Sequence, residues 1–314
     1  MRAATIRDKE IVIEEHPDPV AGTGEVLVRV HAAGLNGADM MQRRGLYPAP
    51  PGSPQDIPGM EFSGEVAALG SGAERFAAGE RVMAIVGGGA QAELVTVNER
   101  QLIPVPDALD WPAAGGLPEV FMTAHDALFA QAGLRSGEHL LIHGGAGGVG
   151  TAAIQLARAV GARATATVRN EQLREQVAAL GAEVIAPKGF AERGPFDVIL
   201  ELVGAPNLAE NLQALATGGR IVVIGVAAGA KAELNLLALM GKRARIYGST
   251  LRARPAEEKA LGARRLEREV LPLFEGDPPA LRVPIADTFP LAQAAAAYER
   301  FAAGGKLGKI VLTV

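Results

Sequence analysis

The chain has 314 residues, room for two domains at about 150 residues each. Hydrophobic residues are 48% and charged residues 21%, which excludes disordered and collagen-like chains. There is no cysteine, so disulfides, thiolate nucleophiles, Fe–S clusters and cysteine-ligated zinc are excluded together. A net charge of −4 and only 4% aromatic residues leave little to attract nucleic acid or an anionic membrane.

The opening residues MRAATIRDKEIVIEEH carry charges every few positions and lack an apolar signal core. The longest apolar run, Ile221 to Ala230, is about half a membrane span and is interrupted by Gly225 and Gly229. The expectation is a soluble, cytoplasmic protein without membrane partners.

In chain order, residues 1 to about 110 read as short strands at Glu25–His31, Glu61–Leu69, Glu80–Ile85 and Ala92–Val97, separated by Gly, Pro and Asp/Asn clusters. Proline density makes Tyr47–Pro58 a loop. From about residue 120, strands and helices alternate. The strands are His139–His143, Arg163–Val168, Glu183–Ala186, Phe196–Glu201 and Arg220–Gly225. The helices between them are Thr151–Val160, Glu171–Leu180 and Leu208–Ala216. Strands this continuously apolar fit a doubly wound, parallel α/β sheet of Rossmann type, covered on both faces. Pro255–Leu271 reads as a charged helix, and Gly308–Val314 as a final strand returning to the first domain. The expected division is a β-rich domain over 1–119 and 253–314 and a dinucleotide-binding domain over 120–252, with the active site in the cleft between them.

Between the His139–His143 strand and the following helix lies G-x-G-x-x-G as Gly145, Gly147 and Gly150, with Gly148 and Val149 completing the turn. The first glycine is expected to permit the tight turn, the second to admit a pyrophosphate, and the third to pack helix on strand. The helix N-terminus adds unpaired N–H groups and a positive dipole end. About 20 residues on, where a carboxylate would hold the ribose 2′-hydroxyl of NAD, the chain has Val168, Arg169 and Asn170. A guanidinium suits a 2′-phosphate, so Arg169, with Arg174 one turn later, points to NADPH. Gly204, Gly225 and Val226 follow the fourth and fifth strands, at the ends where a dinucleotide lies.

Several segments together resemble the medium-chain dehydrogenase/reductase superfamily, in its zinc-independent quinone oxidoreductase branch with the zeta-crystallin relatives. They are AAGLNGADMMQRRGLYPAPPG (32–52), IPGMEFSGEVAALGSGAERFAAGERV (57–82), LPEVFMTAHDAL (117–128), HGGAGGVG (143–150), ILELVGAPNLAENLQALATGGRIVVIG (199–225), YGSTLRARPAEEK (247–259) and GKLGKIVL (305–312). The resemblance implies a GroES-like β-rich substrate domain beside the dinucleotide domain. It also implies that Asn36, Met60 and Glu119 stand where zinc-dependent relatives carry their catalytic ligands. An amide, a thioether and one carboxylate are a poor zinc set, and the five histidines show no metal spacing, so no metal is expected.

The same resemblance places Asn36, Tyr47 and Thr123 near the nicotinamide and substrate. Asn36 would donate to the acceptor carbonyl, and Tyr47 would wall the pocket or donate through its hydroxyl. Glu119 would orient pocket groups or pair with a cation. Where some relatives carry a tyrosine near the 2′-phosphate, this chain has Pro187 followed by Lys188. The implied activity is metal-free, NADPH-dependent reduction of a quinone. The alternatives are C=C reduction of enones, enals or acyl thioesters, with Arg252 and Arg254 as a basic rim, and a non-catalytic NADPH-binding regulatory or RNA-binding role. An edge strand near Ala244–Gly248 gives the expectation of a homodimer.

Overall fold

A computed structural model describes residues 1–314. The chain divides into two compact units, one of residues 1–122, 251–304 and 309–314, the other of residues 123–250 and 305–308.

The first unit is built on a seven-stranded, mainly antiparallel sheet. Its strands run in the order Ile285–Pro290, Lys309–Thr313, Glu25–Gly34, Glu61–Leu69, Arg81–Ile85 and Ile103–Pro104, with Leu94–Asn98 pairing a second time on Glu25–Gly34. Alternation drives this arrangement. Val26, Val28 and Val30 point inward to meet Phe62, Val66, Val82, Ala84, Val95 and Val97 in one buried cluster. A separate core gathers Ala4, Leu35, Leu291, Ala294, Ala297 and Tyr298 around the Ala294–Ala303 helix. The sequence reading leaves Arg2–Arg7 and Glu10–Glu15 unassigned; they form a hairpin whose turn holds Asp8 and Lys9 at φ of 50° and 69°. The Tyr47–Pro58 stretch carries neither helix nor strand, as expected from its prolines.

The second unit is a six-stranded parallel sheet in the order Glu183–Ile185, Arg163–Thr167, His139–His143, Phe196–Glu201, Leu215–Val223 and Arg245–Gly248. Counted along the chain that order is 3-2-1-4-5-6, the Rossmann topology, with its switch point between the first and fourth strands. Leu140, Leu141, Ile142, Val198, Ile199 and Leu200 are all fully buried, which explains the unbroken apolar text. The expected Glu171–Leu180 helix is instead a 3₁₀ turn, Glu171–Leu173, followed by one short α-helix, Arg174–Ala178. The fifth strand starts at Leu215 rather than Arg220 and carries a register irregularity against Phe196–Glu201. No helix is long and apolar enough to cross a membrane.

Candidate active site

In the second unit the glycine turn has a sharper division of labour than its motif. The left-handed residue is Gly144, at φ 74°, so the tight turn belongs there and not to Gly145. Gly145 is needed because a Cβ would stand 2.7 Å from that of Ala166 on the neighbouring strand. A Cβ on Gly150 would meet Gly144 O at 2.5 Å and Gly145 Cα at 2.8 Å, so helix and turn touch backbone to backbone. Of the three motif glycines only Gly147 has room, with Gly144 O at 3.5 Å. The Gly148–Ala159 helix starts directly behind it, and the amides of Gly148, Val149 and Gly150 have no intrahelical acceptor. This cradle of bare backbone fits a pyrophosphate.

Arg169, past the end of the second strand, is exposed, and its guanidinium has no partner. Arg174 is partly committed: its Nε donates to Val168 O at 3.2 Å and its Nη1 to Glu171 at 3.3 Å. Asn170 caps the next turn, accepting from Gln172 N at 3.1 Å. Lys188 is exposed. Gly204 (φ 115°) and Gly225 bring their loops into backbone contact, a Cβ on either falling within 2.5 Å of a carbonyl oxygen, while Val226 is partly exposed beside them.

A buried chain of hydrogen bonds that sequence reasoning missed ties three strand ends together. His143 bonds Thr167 Oγ1 at 3.2 Å and Asn211 Oδ1 at 2.7 Å; Asn211 in turn donates to Glu201 at 2.8 Å. Glu201 also accepts from the amides of Val203 and Gly204, fixing the turn after the fourth strand. Burial holds the His143 imidazole below its ordinary range, against the opposing pull of Glu201 and Asn211. Thr123 is buried on the Pro118–His125 helix and belongs to this second unit.

In the first unit Asn36 is the N-cap of the Gly37–Arg43 helix, with Asp39 closing the box by accepting from Asn36 N at 2.8 Å. Its side chain is held at both ends. Nδ2 donates to Glu61 Oε1 at 2.9 Å, and Oδ1 accepts from Lys309 Nζ at 2.6 Å. Lys309 also meets Glu61 at 2.6 Å and donates to Leu35 O at 2.8 Å. Glu61 has no exposed surface, and its second oxygen accepts from the Glu119 amide at 2.8 Å. The second hydrogen of the Asn36 amide has only a long 3.4 Å contact, to Gly34 O, and is the one free for a ligand.

Residues in the positions of zinc ligands do not fit the metal. Asn36 Oδ1 faces an ammonium, Met60 is buried as an apolar side chain, and no three His, Asp or Glu side chains gather into a metal-binding group. The histidines are engaged elsewhere; His16 with Thr5 and His139 with Thr165, each at 2.8 Å, while His31 stacks on Trp111 at 4.4 Å.

Tyr47 lies over a guanidinium that is itself buried. Arg252, 1% exposed, donates from Nε to Gly87 O at 2.7 Å, from Nη1 to Tyr47 O at 3.2 Å and from Nη2 to Gln42 at 2.5 Å. The Tyr47 ring centroid is 5.3 Å from its carbon. Arg252 therefore pins the proline-rich loop to the Gly87 turn, and the surface rim expected of it is absent. Asp39 lies near enough to both Lys309 and Arg252 to feel their charges, but burial dominates and raises its carboxyl to about 6.

A pH dependence follows for Asp39. An acid whose folded value is raised from 3.8 to about 6 contributes stability below 3.8 that is lost as pH rises through 6. Between pH 4 and pH 7 the wild type is expected to lose about 2 kcal/mol relative to Asp39→Asn, read as the difference in urea midpoints at the two pH values.

Comparison with known proteins decides the family. An alcohol dehydrogenase GroES-like domain matches residues 22–107 and a zinc-binding dehydrogenase domain matches residues 148–266. Quinone oxidoreductase of Mus musculus is 33% identical over 310 residues, covering 94% of this chain and 90% of the relative; that of Rattus norvegicus is 32% identical with the same coverage. The chain belongs to the medium-chain dehydrogenase/reductase superfamily, in its quinone oxidoreductase branch. A quinone oxidoreductase of Pseudomonas syringae pv. Tomato DC3000 superposes over 100% of both chains with a TM-score of 0.89 at 27% identity. As a medium-chain dehydrogenase/reductase, this protein is an oxidoreductase that works with a nicotinamide cofactor.

Proposed function

We propose that this protein is a metal-free, NADPH-dependent quinone reductase. The observation that carries the cofactor preference is Arg169, a free, exposed guanidinium at the position where a carboxylate would select NADH. Bound at the glycine cradle, the reduced nicotinamide supplies a hydride. A quinone is electrophilic enough to take it without a Lewis acid, which agrees with a residue set unsuited to zinc. The work left to the protein is orientation and exclusion of water. Asn36, locked between Glu61 and Lys309, offers its remaining amide hydrogen to the acceptor carbonyl. Tyr47, carried on a loop clamped by Arg252, forms a wall of the acceptor site, and Thr123 lies against the nicotinamide. The burial of Arg252 removes half of the basic rim that a coenzyme A thioester would call for.

Arg169→Ala tests the cofactor assignment. A lost charge-assisted contact of about 1.5–3 kcal/mol raises the KM for NADPH by roughly 10- to 150-fold and leaves the KM for NADH unchanged. Equal effects on the two cofactors would contradict the role given to Arg169.

A further inference from the structure

The chain leaves the first unit after Gly304, lends the residues Gly305–Gly308 to the second, and rejoins the first at Lys309. This short segment runs beside the glycine turn. Gly308 N donates to Ala146 O at 2.8 Å, and Gly308 forms a parallel bridge with Gly147. At the other end, a Cβ on Gly305 would stand 3.6 Å from Asn170 Nδ2, next in sequence to Arg169. The segment therefore spans from the residues past the second strand to the turn after the first. A dinucleotide bound at the strand ends follows that line from its adenosine ribose to its pyrophosphate.

Between the two anchors stands Lys306, half-buried, whose Nζ donates to Gly308 O at 3.3 Å and so lies toward the Gly147 end. The turn itself supplies no cation, because no residue from Gly144 to Ala153 has a charged side chain. Backbone amides and a helix dipole give only partial positive charge, whereas a pyrophosphate is negative on each phosphate. The 3.3 Å bond to Gly308 O is longer than an ordinary hydrogen bond, and a phosphate oxygen is the stronger acceptor.

We propose that Lys306 is a cofactor-binding residue whose ammonium neutralises the pyrophosphate at the glycine turn. The inference rests on the cradle as the cofactor site and is independent of the acceptor. It divides phosphate recognition between two cations. Arg169 reads the 2′-phosphate that only NADPH carries, and Lys306 meets the phosphates that NADPH and NADH share.

The test is direct titration of the wild type, Lys306→Met and Lys306→Arg with NADPH and with NADH, followed by nicotinamide fluorescence without any acceptor. Lys306→Met is expected to raise both Kd values by a common factor of about ten or more. Its ligand-free thermal unfolding matches the wild type, since residue 306 lies outside helices and strands. Lys306→Arg restores most of the affinity, and added salt weakens the wild type more than Lys306→Met. A loss confined to NADPH would place Lys306 at the 2′-phosphate and overturn the proposal. Unchanged Kd values for both dinucleotides overturn it while leaving the cradle intact. A wild type that binds neither dinucleotide overturns the cradle reading and this proposal with it. Should Lys306→Met fail to fold, Lys306→Gln, which keeps a polar end without the charge, is read by the same criteria.

Discussion

Lys309→Met is expected to destabilise the first unit by about 3–5 kcal/mol, because it strips the counter-charge from a carboxylate that has no exposed surface. Lys309 is 3% exposed and its ammonium serves Glu61, Asn36 Oδ1 and Leu35 O together, so its loss leaves three acceptors short of a donor. The single tryptophan provides the readout. Trp111 stacks on His31, lies 4.5 Å from the Arg81 guanidinium and accepts from Ser63 at 2.8 Å, all within the first unit. Urea unfolding followed by its fluorescence reports that unit. The double variant Lys309→Met/Glu61→Gln recovers much of the loss, since a neutral pair avoids burying an unpaired charge. A Lys309→Met midpoint within about 0.5 kcal/mol of the wild type would show that the cluster is not the buried ion pair described. The same variant frees Asn36, so residual activity should fall further than the fraction of folded protein does.

The second large effect separates two glycines one turn apart. Gly150→Ala places a methyl group 2.5 Å from Gly144 O and 2.8 Å from Gly145 Cα, both backbone atoms that cannot swing aside. Overpacking of this kind costs about 1–3 kcal/mol and displaces the turn, so stability and NADPH affinity fall together, affinity by at least about tenfold. Gly147→Ala meets only an ordinary 3.5 Å contact in the free protein. It is expected to unfold like the wild type yet bind NADPH at least about tenfold more weakly, because its methyl group occupies the approach of the pyrophosphate. Thermal unfolding and NADPH fluorescence titration of both variants read the contrast. Wild-type affinity in Gly147→Ala would contradict the placement of the cofactor.

Legibility in the sequence followed how local each determinant is. Uninterrupted runs such as HLLIH and FDVILE announced buried parallel strands because the apolar text is the burial pattern. The hairpin at Arg2–Glu15 went unread since Asp8 and Lys9 adopt the left-handed turn without the glycine that normally signals it. Arg174 begins its own short helix only after a 3₁₀ turn, a break that residue spacing does not mark. At the site, Asn36 and Tyr47 could be singled out by resemblance, but their partners lie far along the chain. Lys309 joins Asn36 across 273 positions, and Arg252 joins Tyr47 across 205. The signal that was available is a charge inside apolar text: Glu61 opens the strand EFSGEVAAL, and Lys309 opens KIVLT. Arg252 showed the opposite hazard, as a basic residue in a charged stretch reads as surface until its three acceptors are found.

The most direct test of the account is NADPH and NADH oxidation measured side by side with 1,4-benzoquinone and with an enone, after treatment with a strong chelator. The account predicts quinone turnover that survives chelation and a kcat/KM for NADPH at least about tenfold above that for NADH. Turnover lost with the metal, a preference for NADH, or reduction of the enone alone would contradict it.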